Sequence, residues 1–108
     1  MALRLPERWL WDFWFAQDGP DTHIFYLQAP RSLAHEELRH WNVNIGHAVS
    51  QDLRHWDILP DALQPSPTGS NAWDDYTTWT GSILRHNGCW NLFYTGTQRA
   101  EEGLVQRI

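Results

Sequence analysis

The feature that most constrains the fold of this chain is an internal repeat between two predicted β-hairpins. Superposing Phe25-Tyr26 on Phe93-Tyr94 gives an offset of 68 residues, and the same offset places Trp11-Asp12 on Trp79-Thr80. A repeat of this length predicts that one supersecondary unit occurs twice and that neighbouring units pack against each other.

Runs rich in aromatic and β-branched residues, separated by turn-forming residues, predict short strands joined in a meander. These strands are predicted at Trp9–Phe15, Thr22–Ala29, Ile45–Ser50, His55–Pro60, Thr78–Leu84 and Trp90–Gly96. The polar segment Ser32–Arg39 is predicted to form one or two helical turns.

Four-stranded antiparallel units repeated in tandem are typical of β-propeller blades. We therefore expect an all-β chain of the β-propeller type. The first blade is expected at about residues 9–60, a linker at about 61–77 and part of a second blade at about 78–108. The alternative is a β-sandwich in which the two hairpins are similar by chance.

Asp12 stands among five aromatic residues in the segment Trp9–Phe15. An ionised carboxylate is costly to desolvate without a partner, so a carboxylate in such a segment is exposed in a cavity or used in chemistry. Asp12 is therefore the first catalytic candidate. The alternative, that Asp12 caps a backbone amide at a strand end, agrees equally well with the spacing.

The segment Trp79-Thr80-Gly81-Ser82 opens the second predicted hairpin and indicates a binding surface. Gly81 removes a side chain from the strand, while Thr80 and Ser82 place hydroxyl groups on one face of it. Small polar groups there leave room for a bound molecule. The chain also has eight tryptophans, whose rings suit the stacked recognition of sugars as well as core packing.

The histidines do not indicate a metal site. His35 and His40 are five residues apart, whereas two zinc ligands on one helix need a spacing of about four residues to share a face. No metal and no cofactor is expected.

Two further polar motifs favour structural roles. Ser50 and Asp52 are predicted to bond backbone amides in a tight turn, with Trp56 packed beneath it. Asp74 and Asp75 precede the second hairpin and are expected to be solvated loop residues; the alternative is a rim position that faces a ligand.

Charge and composition exclude several partners. The formal net charge is −5, so nucleic acid and anionic membranes are poor partners. No signal peptide and no run of about 18 apolar residues is visible, so no membrane helix is expected. The single cysteine, Cys89, lacks a nucleophile signature and is expected to be an inert thiol, and one cysteine favours a cytoplasmic location.

A longer segment closely resembles a known family. Gly46–Trp56, which reads Gly-His-Ala-Val-Ser-Gln-Asp-Leu-Arg-His-Trp, and its continuation Leu59–Leu63 resemble the first-blade segment of the β-fructosidases, the family of invertases, levanases and inulinases. Trp79-Thr80-Gly81-Ser82 is similar to the Trp/Phe-Ser-Gly-Ser motif that opens the second blade in that family and in levansucrases. The likeness extends from about Trp9 to Tyr94.

The resemblance implies a five-bladed propeller whose central pocket holds three carboxylates: a nucleophile on the first strand, a transition-state stabiliser in the third blade and a general acid farther on. Asp12 falls where that nucleophile stands. The resemblance also implies a carbohydrate substrate, with Trp79, Thr80 and Ser82 in the sugar pocket and Trp11 and Trp14 as pocket wall or core.

The residues around Asp12 depart from the usual family pattern. β-Fructosidases usually have Asn before this Asp and Pro-Asn-Gly after it, whereas here Trp11 precedes it and Phe13-Trp14 follows. Trp-Asp-x-Trp looks more like the levansucrase form, and the broader superfamily also contains arabinosidases and xylosidases. The resemblance therefore implies glycoside chemistry without specifying the sugar.

The length of the chain adds three expectations. A closed five-bladed propeller needs about three times as many residues, so we expect an N-terminal fragment of a glycoside hydrolase acting on fructoside or other furanoside carbohydrates. Without the stabilising Asp and the acid Glu, it is expected to be inactive alone. Self-association is expected through the strand edge at Gly96 and through the apolar side chains of Trp79, Ile83, Trp90, Leu92 and Phe93. The alternative function is a non-catalytic carbohydrate-binding or assembly module.

Overall fold

The computed structural model describes residues 2–101 and 103–108 of the chain. Its strands are β1 (Arg8–Asp18), β2 (Asp21–Pro30), β3 (Asn44–Ser50), β4 (Asp57–Leu63), β5 (Thr77–His86), β6 (Cys89–Ala100) and β7 (Gly103–Arg107), with a 3-10 helix at Glu36–Trp41. The strands form a four-stranded sheet in the order β1-β2-β3-β4 and a three-stranded sheet in the order β5-β6-β7. The all-β prediction, with one blade and part of a second, is confirmed. Within the described residues, no helix has the length and apolar character needed to cross a membrane.

The sequence repeat is a structural repeat. In each sheet the first two strands pair antiparallel and are joined by a two-residue turn. Each first strand contains one β-bulge, which lies between Trp11 and Phe13 in β1 and between Trp79 and Gly81 in β5. The two bulges are therefore separated by the same offset as the sequence repeat, and Asp12 and Thr80 are the bulged residues.

The second sheet differs from the expectation at its outer edge. We expected the strand ending at Gly96 to be an open edge, but β6 continues to Ala100 and pairs with β7. The expectation was wrong because β7 pairs antiparallel with β6 from Gly103 to Arg107. The outer edge of the second sheet is therefore β7.

The two sheets enclose the main core. Phe25, Leu27 and Ile45 of the first sheet are buried there, and each such side chain contributes about 1.5–3 kcal/mol through burial. The second sheet packs against them through Trp79, Ile83, Leu92 and Tyr94.

Part of the apolar surface expected to be open is therefore covered. Trp79, Ile83 and Leu92 pack against the first sheet, whereas Trp90 and Phe93 are 40% and 48% exposed. Side chains alternate between the two faces of a strand, so Phe93 points away from the face that carries Leu92.

Hydrogen bonds join the sheets beside this core. The hydroxyl of Thr77 accepts a hydrogen bond from the backbone nitrogen of Val43 at 3.0 Å and donates one to the Val43 carbonyl. The hydroxyl of Thr78 also donates to the Val43 carbonyl, at 3.0 Å. All three residues are buried. These bonds connect the start of β5 to the segment that follows the 3-10 helix.

The acidic pair before β5 is not solvated. Asp74 and Asp75 are 5% and 9% exposed, because each carboxylate accepts a hydrogen bond inside the fold. The hydroxyl of Tyr94 donates to Asp74 at 2.8 Å, and the backbone amide of Asn71 donates to Asp75 at 2.9 Å. Burial, together with Asp74, raises the pKa of Tyr94 to about 12. The two residues lie in the loop before β5, as expected, but the expectation that they are solvated was wrong, and they are structural.

The turn between β3 and β4 confirms the structural role of its polar residues. The Ser50 hydroxyl accepts hydrogen bonds from the backbone amides of Asp52 and Leu53, at 3.2 and 2.9 Å. The Asp52 carboxylate accepts hydrogen bonds from the backbone amides of Arg54 and His55, both at 2.8 Å. The bonds from His55 and then Arg54 hold the pKa of the Asp52 carboxyl well below its usual value. Trp56 packs beneath the turn, on the cluster formed by Ile24, Tyr26 and Ala48.

Candidate functional site

Asp12 is presented by a strained bulge in β1. A β-bulge interrupts the alternation of side chains along a strand and re-aims the extra residue. Asp12 has a φ of +39°, a left-handed conformation that is unfavourable for a residue with a side chain, and its carboxylate is exposed. Strain of this kind occurs most often at functional sites, so the backbone supports a functional role for Asp12.

The equivalent bulge of the second sheet provides a partner for this carboxylate. The hydroxyl of Thr80 donates a hydrogen bond to Oδ2 of Asp12 at 3.1 Å. The backbone carbonyl of Thr80 accepts a bond from the hydroxyl of Thr95, also at 3.1 Å, which connects the bulge to β6. Two positions related by the sequence repeat therefore meet between the sheets.

A cleft of about 490 Å³ opens beside this pair. Its other walls are mainly aromatic and apolar, and they are formed by Trp11, Leu27, His40, Trp41 and Trp79. Flat apolar rings around a carboxylate suit a sugar, whose C–H faces stack on aromatic rings while its hydroxyl groups bond to polar atoms.

The 3-10 helix supplies one side of the cleft. Trp79 donates from Nε1 to the backbone carbonyl of His40 at 2.8 Å, which fixes the end of the helix to β5. Trp41 lies with its ring centroid 5.6 Å from that of Trp79 and stacks on Tyr76 at 5.7 Å. The edge of His40 meets Trp11, with 5.9 Å between the ring centroids.

The sequence argument missed His40 and Trp41 as cleft residues, and it missed Leu27. One signal was available, because Trp41 is a large aromatic residue in an otherwise polar segment. The side on which that segment folds depends on the docking of the helix against β5.

Four of the six predicted site residues come together, and two lie elsewhere. Trp11, Asp12, Trp79 and Thr80 line the cleft. Trp14 packs against the main core and stacks on Phe25, with 6.2 Å between the ring centroids. Ser82 lies in a neighbouring cleft of about 240 Å³, on the β6 side of β5. Sugar binding by any of these residues stays a prediction.

The structure explains glycine at position 81 differently from the sequence argument, which assigned it to ligand space. A Cβ at this position would collide with the backbone carbonyl of Phe93 on the paired strand. The close approach of the two strands at the bulge thus requires glycine, whether or not a ligand is bound. Because Gly81 has no side chain, β5 and β6 can pair closely next to Thr80.

The described residues contain no cluster of side chains that could bind a metal ion. No group of three or more His, Cys, Asp or Glu side chains lies in a geometry that could hold a metal ion there. Cys89 is exposed at the turn between β5 and β6. We assign no metal ligand among these residues.

The chemistry available to the cleft is that of one oriented carboxylate. A carboxylate can attack a sugar carbon and form a covalent intermediate. Glycoside hydrolysis with retained configuration needs a second carboxyl group about 5–5.5 Å from the first. Among the residues that line the cleft, Asp12 is the only acidic one.

Known proteins resemble this chain in sequence and in fold. Residues 18–108 match the model of the glycosyl hydrolases family 32 N-terminal domain. The matched range begins after Asp12, so the assignment of this residue depends on the geometry described above. A solved structure titled "Glycoside hydrolase" superposes with a TM-score of 0.64 at 22% identity, over 97% of this chain and 28% of the other, which shows a shared fold.

Several curated relatives are more than 30% identical to this chain, and three of them represent the range of printed activities. "Beta-fructofuranosidase 1" of Zea mays is 35% identical over 95% of this chain and 14% of its own length. "Sucrose-6-phosphate hydrolase" of Escherichia coli is 35% identical over 87% of this chain and 18% of its own length. "6(G)-fructosyltransferase" of Asparagus officinalis is 36% identical over 68% of this chain and 11% of its own length. The chain thus spans less than a fifth of each relative.

Proposed function

The chain belongs to glycosyl hydrolase family 32, and on that basis we propose that it is the part of a β-fructofuranoside-cleaving enzyme that supplies the nucleophile, Asp12. The observation that carries the proposal is the hydrogen bond from Thr80 to Asp12, at 3.1 Å, across two sheets that meet at an aromatic cleft. The names of the relatives, a fructofuranosidase, a sucrose-6-phosphate hydrolase and a fructosyltransferase, support a fructosyl substrate.

In the proposed reaction Asp12 forms a covalent bond to the sugar. In this proposal Oδ1, the oxygen that does not accept from the Thr80 hydroxyl, attacks the anomeric carbon, and the bond to Oδ2 orients the carboxylate. The bond from that carbon to the leaving-group oxygen breaks, and a general acid must protonate this oxygen. Water then attacks the same carbon, the acid takes a proton from the water as base, and Asp12 is released as a carboxylate.

The aromatic walls position the sugar for this attack. Trp11 and Trp79 belong to the same strands as Asp12 and Thr80, so the rings and the carboxylate move together. Their apolar faces exclude water from the C–H side of the sugar. The cleft contains no second acid, and the general acid must come from outside the residues that line it.

A different function follows if no general acid joins the site. One carboxylate in an aromatic cleft can bind a carbohydrate without cleaving it. This observation favours a carbohydrate-binding or assembly module as the second candidate function.

Chemical rescue of an Asp12 variant distinguishes the two candidates. The test uses the natural polypeptide that carries these residues, whatever its length, with an aryl β-fructofuranoside as substrate. Asp12→Ala is expected to lose turnover, and azide is expected to restore it by attacking the vacant side of the anomeric carbon and giving a fructosyl azide of inverted configuration. The control is Asp57→Ala, which removes an exposed strand carboxylate outside the cleft and should leave turnover unchanged.

Two results would contradict the nucleophile assignment. The first is retention of turnover by Asp12→Ala. The second is a failure of azide to restore turnover in Asp12→Ala while azide rescues a variant of another carboxylate. A natural polypeptide that binds fructosides without turning them over would support the binding module instead.

A further inference from the structure

Two histidines on neighbouring strands, His23 on β2 and His47 on β3, bond to each other. Nδ1 of His23 and Nε2 of His47 are 2.8 Å apart, and both side chains are half-buried. An N–H···N bond between two imidazoles requires one nitrogen to donate and the other to accept. The bond therefore exists only while one of these two nitrogens carries no proton.

The pair lies on the face of the first sheet that packs on the second sheet. The register places His47 opposite Phe25, whose ring stacks on it with 4.4 Å between the centroids. Phe25 is a buried member of the main core, against which Ile83 and Leu92 of the second sheet pack. The histidine pair thus supports one end of the interface between the sheets.

Charged groups from several strands share this face. Residues paired across antiparallel strands point to the same side of the sheet, so Asp18 of β1, Asp21 of β2 and Asp57 of β4 are on the side of the histidines. Arg85 of β5 reaches Asp18, with 3.7 Å between nitrogen and oxygen, and β6 contributes the apolar Leu92.

These groups do not neutralise two protonated histidines. Within the described part of the chain, neither Asp18, Asp21 nor Asp57 is hydrogen-bonded to either ring. Asp21 accepts instead from Gln51 at 2.8 Å. Repulsion between two imidazolium groups in direct contact is therefore opposed by no paired carboxylate.

We propose that His23 and His47 form a proton-sensitive latch between β2 and β3, under the part of the sheet interface that Phe25 occupies. At neutral pH the N–H···N bond holds β2 and β3 together beneath Phe25. On acidification a first proton can bind a ring nitrogen away from the bond, and the bond survives. A second proton must bind the accepting nitrogen of the bond itself, which leaves two N–H groups and two positive charges facing each other, and the latch opens.

The direction of the pH effect follows from the surroundings of His47. Burial, and next the charge on His23, lower the pKa of His47 from its ordinary value of 6.5. The folded chain then binds fewer protons than the unfolded chain, so stability that is present above pH 6.5 is lost as the pH falls below that value. The stack with Phe25 favours an imidazolium, but burial and repulsion outweigh it.

An open latch affects the site because both lie in one interface. The bond between Thr80 and Asp12 joins β5 to β1, the strand that pairs with β2. Looser packing between the sheets separates these two residues. Acidification is therefore expected to disorder the cleft reversibly.

The test follows the two imidazoles directly. Histidine is labelled with ¹⁵N in the natural polypeptide, and the ring nitrogens are followed by NMR between about pH 8 and 5, the range in which histidine titrates. The His47 ring is expected to stay neutral to a pH below 6.5, its ordinary pKa. Thermal unfolding over the same range is expected to show a melting temperature that falls as His47 becomes charged.

A variant and a matched control isolate the coupling. In His23→Gln the amide can still donate to Nε2 of His47 but cannot become charged, so the midpoint of His47 should move to higher pH and the acid-induced loss of melting temperature should shrink. His86→Gln, which replaces an exposed histidine at the end of β5, should change neither quantity.

Two outcomes would overturn the proposal. The first is a His47 ring that titrates at its ordinary pKa of 6.5 in the wild type, a measurement that needs no variant. The second is an unchanged His47 midpoint in His23→Gln. Either result would reduce the pair to a neutral packing contact.

Discussion

Replacing Gly81 by alanine should test whether the bulge in β5 holds the candidate site together. The added Cβ would overlap the carbonyl of Phe93 and approach Cα of Tyr94 to 3.0 Å. Both neighbours are backbone atoms, so no side-chain rotation can relieve the collision, and β5 must move away from β6.

The expected cost is the sum of two effects. Overpacking against a rigid neighbour costs about 1–3 kcal/mol. Separation of the strands also weakens one or two ladder hydrogen bonds, each with a net value of about 1 kcal/mol. Gly81→Ala should therefore lower the free energy of unfolding by about 2–5 kcal/mol. Because Thr80 is the preceding residue, the same displacement should remove its bond to Asp12.

Urea unfolding of the natural polypeptide, followed by tryptophan fluorescence, measures this cost. The matched control is Ser82→Ala, a small change on the adjacent exposed residue, which should stay within about 0.5 kcal/mol of the wild type. A Gly81→Ala variant as stable as that control would refute the steric argument. Glycine at this position would then have to be explained by ligand access.

Four further predictions concern the carboxylates and the exposed apolar surface. Asp12→Asn in the natural polypeptide should nearly abolish turnover of a fructoside and barely change the melting temperature; retained activity with a large loss of stability would show a structural cap. The 108-residue chain expressed alone should not hydrolyse sucrose, inulin or levan, because general acid assistance worth roughly 10²–10⁴-fold is missing, and turnover that disappears in Asp12→Ala would contradict this. The same chain should self-associate through apolar residues such as Phe13 and Phe93, which are 64% and 48% exposed. A monodisperse monomer in light scattering after size-exclusion chromatography would contradict this. The lowered pKa of Asp52 predicts stability that is present above pH 3.8 and is lost on further acidification; Asp52→Asn should flatten that acid branch of the unfolding curve, and an unchanged branch would argue against it.

Local pattern was enough to predict six of the seven strands in the described residues, and it missed β7. Alternation, turn residues and the repeat predicted both hairpins, because strand pairing with two-residue turns depends on short-range geometry. The same repeat placed Asp12 on Thr80 before any contact between them was known. The polar turn at Ser50 and Asp52 was also predictable, since its hydrogen bonds are made within six residues.

Errors arose where burial is decided by distant segments. Asp74 and Asp75 look like loop residues in the sequence, but their environment depends on Tyr94 and on the path of the loop through Asn71. Trp14 and Trp11 are equally aromatic, and only their positions relative to the bulge decide that one joins the core and the other joins the cleft. A sequence does not distinguish these outcomes, because apolar burial is not directional.

The sequence by itself determined an all-β chain and its repeat, because propensity, turns and alternation act over a few residues. It also marked Asp12 as the catalytic candidate, whereas the bulge that presents Asp12 is seen only in the structure. Only the tertiary structure decided that Thr80 bonds Asp12, that the 3-10 helix brings His40 and Trp41 to the cleft, and that His23 meets His47. These contacts join residues that are 24 to 68 positions apart. They depend on how two sheets dock through a shared apolar core, and the shape of that core is a property of the whole fold.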